Sequence, residues 1–189
     1  MIHLAIFASG RGSNALAILR HLNSHQNIKV QLIVVNNKNA GILDISKEWN
    51  IPSIIIDRSS FQNPAHLLET LNNYDIRLLI LAGFLWKIPT FLLDHFPTIN
   101  IHPALLPKYG GKGMYGQHVH RAVKEAKDKE SGISIHWVNA NYDEGDIIFQ
   151  AKCNIDPKDT VQDIADKVLL LEHKYYPKIV VKIAESIKY

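Results

Sequence analysis

Short apolar runs of strand length alternate with helix-length amphipathic segments through the first half of the chain. Ile2–Ala8, Val30–Val35, Ser53–Ile56 and Leu78–Leu81 are rich in Ile, Leu and Val and show little polar alternation. Strands read this way when both of their faces are covered. Between them, Asn14–Leu22, Ile42–Trp49 and Ala65–Tyr74 carry helical spacing. Parallel neighbours need a long crossover, and a helix is the compact way to make one. The alternation therefore predicts an α/β chain built on a parallel, doubly wound, twisted sheet with a Rossmann-like N-terminal half.

The second half continues with a strand over Thr98–His102, then a loop holding Gly110, Gly111, Gly113 and Gly116. A helix is expected from about Val119 to Lys127, and strands over Gly132–Val138 and Ile147–Asn154. Thr160-Val161-Gln162-Asp163 has the form of a helix start, with a capping oxygen and an acidic third position. That helix should run to about His173. A separate last helix is predicted to begin near Pro177, because proline is tolerated in a first turn. No internal repeat, low-complexity tract or interdomain linker interrupts the chain, so residues 1–189 are expected to form a single domain.

Composition narrows the partners. The 189 residues are 47% hydrophobic and 21% charged, enough to bury a core. A net charge of +3 is far from the footprint of a dedicated nucleic-acid binder but suits small anionic molecules. Cys153 is the only cysteine, so no disulfide can form within the chain, which fits a reducing cytosol. Met1–Ala8 lacks the basic leader of a signal peptide, and no apolar stretch approaches the roughly 20 residues of a membrane helix. These features predict a soluble cytoplasmic protein, monomer or homodimer, with neither a nucleic-acid nor a membrane partner.

Two segments carry chemistry. The first is Ser9-Gly10-Arg11-Gly12-Ser13-Asn14-Ala15, joining the first strand to the first helix. Glycine lets the backbone turn sharply there, and the helix start offers free amides and a positive dipole end to a phosphate. Gly10–Ala15 also fits the dinucleotide pattern G-x-G-x-x-A. That reading wants an acid roughly 20 residues on, whereas the second strand ends in Asn36-Asn37-Lys38. Lys38 is able to meet a 2′-phosphate, so a dinucleotide stays open, but the extra donors of Ser13 and Asn14 suit a terminal phosphate monoester better. The plainer alternative is a tight turn with Ser13 or Asn14 as a helix cap.

The second is Asn100-Ile101-His102-Pro103. Residues two apart on a strand point to one face, and apolar neighbours oblige buried polar groups to find partners or a substrate. An amide can donate to a developing oxyanion and an imidazole can carry a proton, a pairing suited to acyl transfer. A turn cap at Asn100 and an interior, hydrogen-bonded His102 are the plainer readings.

The Gly10–Asn14 loop, Ala82-Gly83-Phe84-Leu85, Asn100-Ile101-His102-Pro103 with Leu105-Leu106-Pro107, Asp143-Glu144-Gly145 and Glu172-His173 occur in this order. Over nearly the whole chain this resembles the phosphoribosylglycinamide formyltransferases of purine synthesis. The resemblance implies a formyltransferase fold, with residues 1–100 as a phosphate-binding half and residues 101–189 as a catalytic and folate-loop half. It implies that the amine of glycinamide ribonucleotide attacks the formyl carbon of 10-formyltetrahydrofolate, giving formylglycinamide ribonucleotide and tetrahydrofolate, with no metal. Asn100, His102 and Asp143 are then catalytic. Asn100 donates to the oxyanion, His102 in its charged form stabilises the same oxygen and supplies a proton, and Asp143 accepts the amine proton, directly or through water. A carboxylate beside His102 is expected to raise its pKa above the usual ~6.5. Gly12, Ser13 and Asn14 are expected at the phosphate and Glu172 at the ribose diol, since a carboxylate accepts from two hydroxyls. The folate is expected against Leu85, Trp86, Lys87, Ile88, Val138 and Asn139, together with Asn100 and Asp143.

Some positions depart from the family. Many relatives carry arginine where Trp86 stands and a basic residue where Pro64 stands, near the anionic folate tail; Lys87 or Arg58 is the available replacement. Lys108–Gly116 is longer and richer in glycine than in many relatives and is either a lid over the phosphate or a plain surface loop. His118 and His120 are placed to flank the phosphate or cap that loop, and with His102 and His136 they lack the spacing of a metal site. Other readings are transfer to a sugar nucleotide or to methionyl-tRNA. The tRNA reading calls for a further C-terminal domain and a basic RNA surface, which a chain ending at Tyr189 is not expected to supply. From a different class, an NADP-binding Rossmann oxidoreductase remains.

Overall fold

The computed structural model describes residues 1–187. Seven strands form one sheet in the order β3-β2-β1-β4-β5-β6-β7. The strands β1 (Ile2–Ala8), β2 (Ile28–Val35), β3 (Ser53–Ile55), β4 (Ile76–Leu81) and β5 (Thr98–His102) pair in parallel. The last two, β6 (Glu130–Trp137) and β7 (Ile147–Asn154), pair antiparallel. The helices are α1 (Ser13–Leu22), α2 (Ile42–Glu48), α3 (Arg58–Phe61), α4 (Pro64–Asn73), α5 (Thr90–His95), α6 (Gln117–Glu125) and α7 (Val161–Ser186).

The central strands show why such runs are apolar throughout. Alternate side chains leave a strand on opposite faces, and here both faces are covered. Leu4, Ile6 and Ala8 of β1 join Ala15 and Ile18 of α1 and Tyr176 and Val180 of α7 in one core. Ala5 and Phe7, one residue out of step, join Phe61 of α3, Leu67 and Leu71 of α4 and Leu92 of α5 in the other. With β2 on one side of β1 and β4 on the other, the chain order reverses between β1 and β4. The crevice outside the carboxyl ends of such strands is where ligands bind in open α/β sheets.

Three expectations are corrected. α6 begins at Gln117 and not near Val119. The short helices α3 and α5, of four and six residues, were not anticipated; neither is long enough to display a helical period. The predicted break before Pro177 is absent: α7 runs unbroken for 26 residues with Pro177 buried inside it. A proline inside a helix costs ~3 kcal/mol. The stripe Ile164, Val168, Glu172, Tyr176, Val180 and Ile183 stays in helical register across it and is buried throughout. Apolar burial of ~1.5–3 kcal/mol per large side chain on both sides of Pro177 outweighs that cost. The helix start is as expected, a capping box in which the Thr160 side chain accepts from Asp163 N and Asp163 in turn accepts from Thr160 N at 2.8 Å.

Candidate active site

The first βα turn sits at the switch point and is knitted to the turn after β4. Ser9 N donates to Gly83 O at 3.1 Å, Ala82 N donates to Phe7 O at 2.9 Å, and Leu85 N donates to Ser9 Oγ at 3.0 Å. Gly12 precedes α1 with φ 81°, and no side chain caps the helix. The first-turn amides therefore have no acceptor from a cap, and neither Ser13 nor Asn14 is one. A Cβ on Gly12 would lie 2.8 Å from Ile42 Cβ, so both conformation and space require glycine there.

Asn14 faces α7 across this turn. Its Nδ2 donates to Glu172 Oε2 at 2.8 Å, while its Oδ1 is buried without a partner. Glu172 is 9% exposed, so it is not an ordinary surface glutamate. Burial pushes its carboxyl up to about 7, against the opposing pull of the Asn14 bond.

At the end of β5, Asn100 and His102 share a face as the sequence predicts, and Asp143 reaches both from the β6–β7 connection. Asp143 Oδ2 lies 3.4 Å from His102 Nδ1, and Asp143 Oδ1 accepts from Asn100 Nδ2 at 3.4 Å. Gly111 N donates to Asp143 Oδ2 at 3.0 Å. Asp143 has φ 58°, the left-handed region that Asp and Asn tolerate better than most residues. Two residues on, a Cβ at Gly145 would lie 1.8 Å from Trp137 O, so the arms of this connection close only with glycine there.

His136 is the member that sequence reasoning missed as a partner. It stands opposite Asn100 in the antiparallel register. Its Nδ1 lies 2.8 Å from Trp137 O, which can only accept, so Nδ1 carries the proton and Nε2 accepts from Asn100 Nδ2 at 3.1 Å. Both amide hydrogens of Asn100 are thus engaged. The polar alternation of Ser134 and His136 in an otherwise apolar strand was the available signal.

His102 is 3% exposed. Its Nε2 lies 2.7 Å from Tyr109 O, so the ring proton sits on Nε2 and Nδ1 is the nitrogen turned to Asp143. The expected rise in its pKa is corrected. Burial outweighs the pull of Asp143 and of the Tyr109 carbonyl, and His102 lies below the ordinary histidine value. For Asp143, burial alone would push the carboxyl up, but its contact with His136, the charge of His102 and the Gly111 N–H bond prevail and hold it below the ordinary aspartate value.

The segments expected at the folate border the same end of the sheet. Leu85 is exposed, and Lys87 is exposed beside it. Trp86 packs on Phe61 and Phe84, and Arg58 lies over its ring with Cζ 4.0 Å from the centroid. Val138 packs on the same core cluster, and Asn139 is exposed. Ile88 is 4% exposed within that cluster, so its side chain supports the loop from below and is not an exposed wall. His118 is exposed and stacks edge-on with Tyr115, whereas His120 is buried with Nδ1 unpartnered, and burial followed by the charge of His102 lowers its pKa.

A family model described as formyl transferase matches residues 2–180. The chain is 38% identical to the chloroplastic phosphoribosylglycinamide formyltransferase of Arabidopsis thaliana, over 97% of this chain and 65% of that protein's length. It is 34% identical to the phosphoribosylglycinamide formyltransferase of Bacillus subtilis, over 95% of this chain and 93% of that protein. The crystal structure of phosphoribosylglycinamide formyltransferase from Anaplasma phagocytophilum superposes with a TM-score of 0.87 at 32% identity, covering 97% of this chain and 87% of that one. With the amide, imidazole and carboxylate gathered at one sheet end and a family match spanning almost the whole sequence, the chain belongs to the formyl transferase family.

Proposed function

We propose that this chain transfers the formyl group of 10-formyltetrahydrofolate to the amine of 5-phosphoribosylglycinamide; its relatives in Arabidopsis thaliana and Bacillus subtilis are phosphoribosylglycinamide formyltransferases, which supports the acceptor. The observation that carries the reading is the meeting of Asn100, His102 and Asp143, from β5 and from the β6–β7 connection, beside the switch-point turn. The substrate phosphate lies on Gly12, Ser13 and Asn14. Its ribose diol meets Glu172, whose acceptor capacity is joined by the unpartnered Asn14 Oδ1. The folate lies against Leu85, Trp86, Lys87 and the loop from Val138 and Asn139 to Asp143, over Ile88, and Arg58 on Trp86 supplies the cation for its anionic tail.

The chemistry follows from the protonation states. His102, held below its ordinary pKa by burial, enters the reaction neutral at pH 7 with Nδ1 free toward Asp143. As the amine attacks, its proton passes to the His102–Asp143 pair, where imidazolium and carboxylate stabilise each other. The formyl oxygen gains charge and takes over the Asn100 Nδ2 hydrogen that Asp143 accepts at 3.4 Å. Collapse returns a proton to the departing folate nitrogen. Hydrogen bonding and proton transfer supply what the reaction asks, with no metal. The two halves, residues 1–100 and 101–189, act as one unit in the cytoplasm.

The test incubates pure protein with both substrates and follows tetrahydrofolate release and the mass of the ribonucleotide. Release that depends on the ribonucleotide, with formyl mass gained by it, is expected. Release without it would make the chain a hydrolase, and binding of NADPH without folate would restore the oxidoreductase reading.

A further inference from the structure

Between the start of β6, the end of β7 and the last turn of α6 lies a cleft of about 1200 Å³ that the proposed reaction does not use. Its floor is apolar, built from Leu105 and the buried Val123 and Ile155. One polar atom interrupts that floor. Ser131 is 2% exposed, and its Oγ has no hydrogen-bond partner. An unpaired buried hydroxyl is destabilising, and a bound ligand atom would remove that cost.

The charges around the mouth differ in how far they are already engaged. Asp128 accepts from Lys108 Nζ at 3.1 Å and from Tyr109 Oη at 2.8 Å. Glu130 accepts from Lys152 at 3.0 Å, and Asp156 Oδ1 accepts from Lys158 N at 2.8 Å. Lys127 and Lys129 have no ion pair or side-chain hydrogen bond among the described residues. Asp128 and Glu130 are paired with lysines, Asp156 is held only by a backbone amide, and the lining carries Lys108, Lys124, Lys127 and Lys129 against those three carboxylates, so the cleft favours an anion. An apolar floor with a few polar groups is the usual make-up of a small-molecule site.

Tyr109 joins this cleft to the reaction centre. Its phenol forms part of the cleft wall on Asp128, and its carbonyl holds His102 Nε2 at 2.7 Å. We propose that the cleft is a second ligand site, for a small organic anion with an apolar body, and that its occupancy is transmitted to His102 through Tyr109. The site stands independently of which amine the protein formylates.

The probe is 2-naphthoate, an aromatic carboxylate, titrated into the full chain and followed by amide and imidazole NMR. Saturable shifts are expected at the amides of residues 105, 106, 108, 109, 123, 127–131 and 154–156, with a matching movement of the His102 Nε2 resonance. Lys127→Ala with Lys129→Ala, and separately Ser131→Ala, should each weaken binding by about tenfold or more, the size expected for a hydrogen bond to a charged group. Asn154→Trp, which sets a ring into the mouth from an exposed position, should abolish it. These lysines and Asn154 are exposed, and the Ser131 hydroxyl bonds nothing, so the variants keep the fold; thermal unfolding checks this. Three results each overturn the proposal: no saturation in the wild type, shifts centred on Asn100 and Asp143 that persist in Asn154→Trp, or a filled cleft with His102 unmoved.

Discussion

Single side chains at the end of β5 decide the chemistry. His102→Ala removes the proton carrier, and Asp143→Asn removes the carboxylate while keeping a residue that tolerates φ 58°. General acid–base catalysis is typically worth ~100- to 10,000-fold. Each variant is therefore expected to lose about a hundredfold or more in turnover with unchanged circular dichroism, and a folded variant with normal turnover removes that residue from the mechanism. Glu172 offers a test that needs no substrate. Its folded pKa of about 7 lies above the ordinary glutamate value of 4.5, so the folded state holds the proton more tightly than the unfolded chain. The associated stability is fully present below pH 4.5 and is lost as pH rises through 7. A displacement of this size corresponds to about 3 kcal/mol. Glu172→Gln has no proton to lose and should flatten that slope. Urea unfolding of both proteins at pH 5 and pH 8 measures it, and an equal fall in the two would show that Glu172 does not titrate across this range.

Among the elements, α1 and its preceding turn are held by both space and backbone conformation. Gly12→Ala places a methyl 2.8 Å from Ile42 Cβ and forces φ 81° on a residue that avoids it. Strained backbone of this kind costs ~1–3 kcal/mol. The variant should lower the urea midpoint by a corresponding amount, and affinity for the phosphate-bearing substrate, measured by calorimetry, should fall with it. Retained affinity would separate the turn from phosphate binding. The start of α7 is a milder case. Thr160→Ala removes the cap and should cost ~1 kcal/mol, measured in the same way, with no effect on turnover because the capping box is remote in sequence from Glu172 and is exposed.

At the scale of the molecule, α7 ties the two sheet regions to one core. The Tyr176 hydroxyl, fully buried, donates to Leu81 O at 2.8 Å and lies 3.4 Å from Ile99 O, bridging β4 and β5 from the helix side. Tyr176→Phe removes this buried hydrogen bond and should destabilise the chain by ~1 kcal/mol, read from urea unfolding. The parallel strands, the Gly-rich turn and the shared face of Asn100 and His102 were legible in the sequence, because each rests on a local period or a backbone preference that neighbouring residues impose. The unbroken α7 was not, since Pro177 is a stop signal by local rules and only burial on both sides of it overrides them. Nor were the His136 bond to Asn100, the Tyr109 carbonyl on His102 and the Asn14–Glu172 contact, which join residues whose separation in sequence carries no distance information. Local residue patterns set the strand and helix periods and which residues could do acyl-transfer chemistry. Tertiary structure alone decided which groups meet and which proton each holds, because desolvation and contact across the fold depend on packing that no local pattern encodes.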